Sequence, residues 1–286
     1  MSTSTLISAQ ELHALQQSSS PVVVCDCSFD LADPEAGERA YLAGHIPGAF
    51  YVHLDRDLSG AKTGSNGRHP LPRREDVAGL MARLGADDAT QVVCYDTAGG
   101  AMAARLWWLL RWAGHPAAAV LDGGLPAWRE AGHGLESGRP VPPRPGAFTL
   151  RPALAATVAY EDVRANLDAP DPRLVVDARA PDRFRGQNET LDAVGGHIPG
   201  AANRFLRDNL QSDGRFKPPG QLRAEFGAVL GDTPASRVVS QCGSGVTACH
   251  NLLAMEIAGL SGAALYPGSW SEWSSRPGSP IATGDA

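Results

Sequence analysis

No stretch of this 286-residue chain is apolar for long enough to form a membrane-spanning helix, which needs about 20 such residues. The segment from Met1 to Ser8 has neither a basic cluster nor a long apolar core, so no targeting signal is read there and a cytoplasmic location is expected. Positive charge is also scarce. The net charge is -6 and no lysine-rich cluster offsets it locally, which excludes an electrostatic footprint for nucleic acid. Neither nucleic acid nor a membrane is therefore expected as a partner. Cysteine is sparse too. Five cysteines, an odd number without framework spacing, suit thiols in a reducing compartment better than a disulfide scaffold. Cys25 and Cys27 share one face of a strand run without further ligands nearby, so they are read as core and no metal is expected.

What the sequence does hold, it holds twice. Val22–Asp26, Gly44-His45-Ile46-Pro47-Gly48-Ala49, Val92–Asp96 and Leu121–Trp128 recur in order as Leu174–Asp177, Gly196-His197-Ile198-Pro199-Gly200-Ala201, Val238–Cys242 and Tyr266–Trp273. One nearly constant offset relates all four pairs, so the chain reads as a duplicated domain rather than a solenoid of short repeats. Four prolines between Ser137 and Gly146 favour an extended spacer. The expected division is a first domain over 1–137, a linker over 138–150 and a second domain over 151–286.

In each half, short Val-rich runs alternate with helical stretches, among them 73–84, 101–112, 160–167, 221–230 and 248–257. This alternation predicts an α/β fold: two tandem domains, each with a mainly parallel central sheet flanked by helices. Trp107, Trp108 and Trp112 are read as helix-packing core. Ligands of such sheets bind beyond the carboxyl ends of the strands.

One cysteine falls at such an end. The run Arg237–Gln241 leads into Cys242-Gly243-Ser244-Gly245-Val246-Thr247, and the helical stretch follows. Unpaired N–H groups and the positive end of the helix dipole converge on that point, an environment that favours negative charge. Cys242 is therefore a candidate nucleophile, with a buried packing cysteine as the competing reading. Two glycines and two hydroxyl residues in the loop shift the balance toward chemistry. Cys249 reads as helix packing, with a regulatory disulfide as the alternative.

With the duplicated Gly-His-Ile-Pro-Gly-Ala signature, the Cys242 loop and the terminal Gly-Ser-Trp-Ser-Glu-Trp in view, the chain resembles the tandem-domain rhodanese family of sulfurtransferases over nearly its whole length. The resemblance implies two rhodanese-like domains, the first catalytically silent and the second carrying the nucleophile. Asp96 stands at the position of Cys242, and a carboxylate cannot carry sulfane sulfur. The loop, from Gly243 to Thr247, looks like that of the 3-mercaptopyruvate branch. Thiosulfate-specific members typically place cations directly after the cysteine, where they would stabilise departing sulfite.

The activity implied is transfer of sulfur from 3-mercaptopyruvate through a Cys242 persulfide to a thiol, cyanide or thioredoxin-like acceptor, without a cofactor. A thiosulfate:cyanide sulfurtransferase and a non-catalytic sulfur-relay module are the alternatives. A phosphatase of the Cys-x5-Arg type is excluded because Ala248 stands where the arginine belongs. The resemblance assigns carboxylate binding to Arg183, whose planar guanidinium suits it, and Arg185 is a further candidate for substrate binding. A second substrate arginine expected several residues on is missing from Gln187–Asp192. A proton relay of Asp55, His69 and Ser244 is implied as well. His45 and His197 occur in both halves and are read as structural. Pro267 stands where relatives usually have aspartate.

Overall fold

A computed structural model of the chain describes residues 3–141 and 144–285. Pro142 and Pro143 of the expected linker lie outside the described residues. The chain divides into two compact units. The first runs to Ser59 and adds Pro72–Leu154 and Gln211–Phe216; the second takes Gly60–Leu71, Ala155–Leu210 and the residues from Lys217 onward.

The first unit contains β1 (Leu6–Ile7), α1 (Ala9–Gln16), β2 (Val22–Asp26), α2 (Ala36–Ala43), β3 (Phe50–Tyr51), α3 (Arg74–Arg83), β4 (Gln91–Tyr95), α4 (Ala103–Trp112), β5 (Ala118–Leu121) and α5 (Gly124–Glu130). Its sheet has the order β1-β5-β4-β2-β3, with every pairing parallel. The second unit contains β6 (Ala156–Thr157), α6 (Tyr160–Asn166), β7 (Leu174–Asp177), α7 (Pro181–Phe184), β8 (Ala202–Asn203), α8 (Pro219–Leu230), β9 (Val238–Gln241), α9 (Ala248–Ile257), β10 (Ala264–Leu265) and α10 (Ser269–Trp273). Its order, β6-β10-β9-β7-β8, repeats the first strand for strand, again wholly parallel. The duplication read from the sequence is a duplication of topology.

Parallel sheets are covered on both faces, so their central strands are buried along their length. β4 accordingly has every residue buried, and so does β9. Trp107 and Trp108 are buried on α4, and Trp112 stacks on Trp108 at 5.8 Å between ring centres. In the second unit Trp270 and Trp273 join Val175, Val239, Phe184 and Ile198 in the core. A buried tryptophan removes roughly 200 Å² from water, worth about 5 kcal/mol before the entropy of ordering it.

The repeated His-Ile-Pro-Gly-Ala segment is a turn with a histidine bolt. Ala49 N–H donates to the Ile46 carbonyl and Ala201 N–H to that of Ile198, with Gly48 and Gly200 at φ +72° and +76°. Proline then glycine at the two central positions, the second with positive φ, makes a type II turn. His45 Nδ1 lies 2.8 Å from the Tyr41 carbonyl and His197 Nδ1 2.9 Å from that of Phe184, each ring stacked on the aromatic ring of that same residue. Both histidines are buried, and their partners are structural.

Candidate active site

Cys242 lies just beyond the end of β9 and is 2% exposed. The loop to Thr247 turns the chain into α9, and Gly245 takes φ +77° within it. Its amide points at the sulfur: Gly245 N–H donates to Cys242 Sγ at 3.2 Å. A side chain here would be strained by the backbone angle and blocked in space, because a Cβ would fall 2.2 Å from the Pro267 carbonyl oxygen. Pro267 therefore closes over the loop through its backbone; nothing in the structure explains the choice of its ring.

The segment 266–271 grips the loop from outside. Trp270 N–H donates to the Cys242 carbonyl at 3.0 Å and Ser271 N–H to that of Gly243 at 2.9 Å. Cys242 N–H in turn donates to Ser269 Oγ at 3.1 Å, and Ser269 holds the left-handed angle φ +52°. Non-glycine residues in that region are uncommon and mark positions that the surroundings over-determine. These bonds fix the nucleophile's backbone from both sides.

The segment Gly60–Leu71 belongs to this same unit, and it brings His69 to the loop. His69 Nδ1 and Ser244 Oγ are 2.7 Å apart, both residues buried. Val246 is buried behind the loop, and Thr247 stands at the head of α9 without a side-chain capping bond. Asp55 lies in the first unit, in the turn after Leu54, where its amide donates to His53 Nδ1 at 3.1 Å. Cys249 is buried on α9, its thiol donating to the Gly245 carbonyl at 3.5 Å.

The arginines are held by carboxylates. Arg183 gives Nε and Nη2 to Glu189 at 3.0 and 2.8 Å, a two-toothed pair. Glu189 also lies 3.5 Å from Arg179, which is fully buried on Asp177 and covers the Trp270 ring at 4.6 Å. Beyond Arg183 comes Asp192, 3.7 Å from Arg183 Nη2 and bonded to Arg68 Nη1. Asp177, Arg179, Glu189, Arg183, Asp192 and Arg68 thus form a chain of alternating sign, buried at one end and partly open at Arg183 and Arg68. Burial pushes the Glu189 carboxyl up, but bonds from Arg183 and the Leu191 and Asp192 amides outweigh it and leave it lowered. For Asp192 burial prevails over Arg68, and its carboxyl is raised.

Sequence reasoning missed Arg68, Glu189 and Asp192 as parts of this site. Arg68 Nη2 lies 3.0 Å, and Arg183 Nη2 3.6 Å, from where a Cβ on Gly243 would stand. The loop is uncharged as expected, yet two guanidinium groups border its second residue. Arg185 is placed differently, pairing with Asp285 at 3.6 Å.

The matching position of the first unit is filled differently. Asp96 fills it with its own carboxylate, which accepts from the amides of Ala98, Gly100, Met102 and Ala103 at 2.7 to 2.9 Å. A strand-to-helix loop of this kind is an anion cradle.

Fold and site together define a duplicated α/β protein with one cradled thiol and, in its other copy, a carboxylate in the thiol's place. A model of the rhodanese-like domain matches the chain twice, over residues 8–131 and 159–276. A probable 3-mercaptopyruvate sulfurtransferase of Pseudomonas aeruginosa is 47% identical over the full length of both chains. A putative thiosulfate sulfurtransferase of Mycobacterium tuberculosis is 41% identical over 98% of each. The solved 3-mercaptopyruvate sulfurtransferase from Leishmania major matches with a TM-score of 0.84 at 30% identity, over 94% of this chain and 74% of that one. The chain belongs to the rhodanese-like domain family and carries two copies of the domain in tandem.

Proposed function

We propose that this protein is a 3-mercaptopyruvate sulfurtransferase. The observation that carries the reading is the Cys242 sulfur under the Gly245 amide, in a neutral loop bordered by Arg183. The Cys242 thiolate attacks the sulfur of 3-mercaptopyruvate. A sulfur–sulfur bond forms as the carbon–sulfur bond breaks, and its electron pair leaves on carbon as the enolate of pyruvate. The substrate's thiol proton is released, the enolate takes up a proton, and Cys242 is left as a persulfide. Arg183 binds the substrate carboxylate. The short contact between His69 and Ser244 supports a role for that pair in moving the proton. A thiol, cyanide or a thioredoxin-like reductant then takes the terminal sulfur and restores the thiolate, a ping-pong scheme. Five buried cysteines suit a reducing compartment, and the cytoplasm is the proposed location; among the described residues no helix is long and apolar enough to cross a membrane.

Thiosulfate is the second donor to consider, because two guanidinium groups beside Gly243 would also suit a sulfonate. Comparing kcat/KM for the two donors decides between them. The expected result is a preference for 3-mercaptopyruvate of at least about tenfold, the equivalent of about 1.4 kcal/mol. Preference for thiosulfate overturns the assignment.

A further inference from the structure

We propose that Arg68 is a second substrate-binding cation, which pairs with Arg183 to grip the two adjacent oxygen-bearing carbons of an α-keto acid. This inference rests on the donor reading above and extends it to specificity. Three observations carry it.

The first is convergence. Arg68 comes from a segment more than a hundred residues before Arg183, yet both guanidinium groups approach Gly243, the residue next to the nucleophile. The second is the way each is held. Arg68 Nη1 is bonded to Asp192 and lies 3.5 Å from the Leu191 carbonyl, and the Arg68 amide is fixed on Ser271 Oγ at 3.0 Å. Arg183 is held through Nε and Nη2 by Glu189. Among the described residues no acceptor takes a hydrogen bond from Arg68 Nη2 or Arg183 Nη1, and these are nitrogens facing Gly243. Each guanidinium therefore has one edge braced by a buried carboxylate and one nitrogen left for a ligand. The third is the glycine itself. A Cβ at 243 would sit 3.0 Å from Arg68 Nη2, so the bare backbone leaves the guanidinium room over the loop.

An α-keto acid presents a carboxylate and a neighbouring carbonyl oxygen, and two braced cations match them better than one. Glu189 and Asp192 act as positioning residues: they occupy the edges of the guanidiniums that face away from the substrate. The stretch 187–192, which lacks the expected arginine, instead supplies the carboxylates that brace one arriving from elsewhere in the sequence.

The test is steady-state and labelling kinetics on Arg68→Gln and on the charge-balanced double variant Arg68→Gln with Asp192→Asn, which leaves no buried carboxylate unpaired. With 3-mercaptopyruvate, KM is expected to rise about 10- to 100-fold in both, as for loss of a charged hydrogen bond, with kcat changed by no more than about threefold. An unchanged KM in the double variant overturns the proposal. If the wild-type protein does not turn over 3-mercaptopyruvate, the donor reading falls, and Arg68 is then judged by alkylation of Cys242. A ratio of iodoacetate to iodoacetamide rates that drops about tenfold in the double variant sustains an anion-binding Arg68. A ratio that stays the same overturns it.

Discussion

Gly245 is where the backbone and the chemistry of the site meet. Its amide faces the Cys242 sulfur while its positive φ and the Pro267 carbonyl forbid a side chain. Gly245→Ala is expected to lower stability by about 1–3 kcal/mol and to slow persulfide formation. Urea unfolding and a single-turnover assay check the two effects, and a variant equal to wild type in both would contradict this account of the loop. Cys242 and its loop were legible in the sequence because they are local: strand, cysteine, small residues and helix follow one another within about 20 positions. Arg68 was not legible. Its relation to Gly243 is made by the fold across the whole length between them, and no periodicity or spacing encodes it. Glu189 and Asp192 were visible only as the place where an arginine was missing.

The two strand-to-helix loops solve one electrostatic problem in two ways. Four amides converge on the position after β4 and are satisfied permanently by Asp96, whereas after β9 the Gly245 amide faces the Cys242 sulfur. Asp96 Oδ2 takes the amides of Met102 and Ala103, which explains why α4 begins at Ala103 rather than at the Ala101 that hydrophobic pattern alone suggested. Asp96→Ala would leave four amides without their acceptor and is expected to cost about 3 kcal/mol, read from urea unfolding. Another element is pinned from outside. Glu225 on α8 binds Arg204 at 2.5 Å and Lys217 at 2.9 Å. Burial raises its carboxyl, but these hydrogen bonds prevail and bring it down to about 2 from an ordinary 4.5. A carboxyl lowered on folding stabilises the native state above its unfolded value, and the contribution is lost as pH falls from about 4.5 toward 2. Glu225→Gln should therefore be less stable than wild type at pH 7 and lose less on acidification through that window. Thermal unfolding at pH 7 and pH 3 measures the difference, and equal losses in the two proteins would contradict it.

For the molecule as a whole, the sequence repeat translated directly into structure, because the matched landmarks are the ends of strands and the turns between them. Val22–Asp26 and Leu174–Asp177 became strands with the residues expected, and each sheet places its repeated cysteine or aspartate position beyond a central strand. What the repeat could not convey is the assignment of Gly60–Leu71, which lies in the first half of the sequence and in the second compact unit. Proline and glycine in that segment marked it as a loop but not its destination. It is the segment that supplies both His69 and Arg68. Duplication thus accounts for the scaffold, and Gly60–Leu71 is a part of the second unit that the repeat does not explain.

Intact-mass spectrometry after incubation with 3-mercaptopyruvate reads the chemistry of Cys242 without any coupled assay. The account predicts a gain of one sulfur atom on the wild-type chain, removal of that sulfur by added thiol, and no gain in Cys242→Ser. A wild-type chain that gains nothing, or a Cys242→Ser chain that still gains the sulfur, would contradict it.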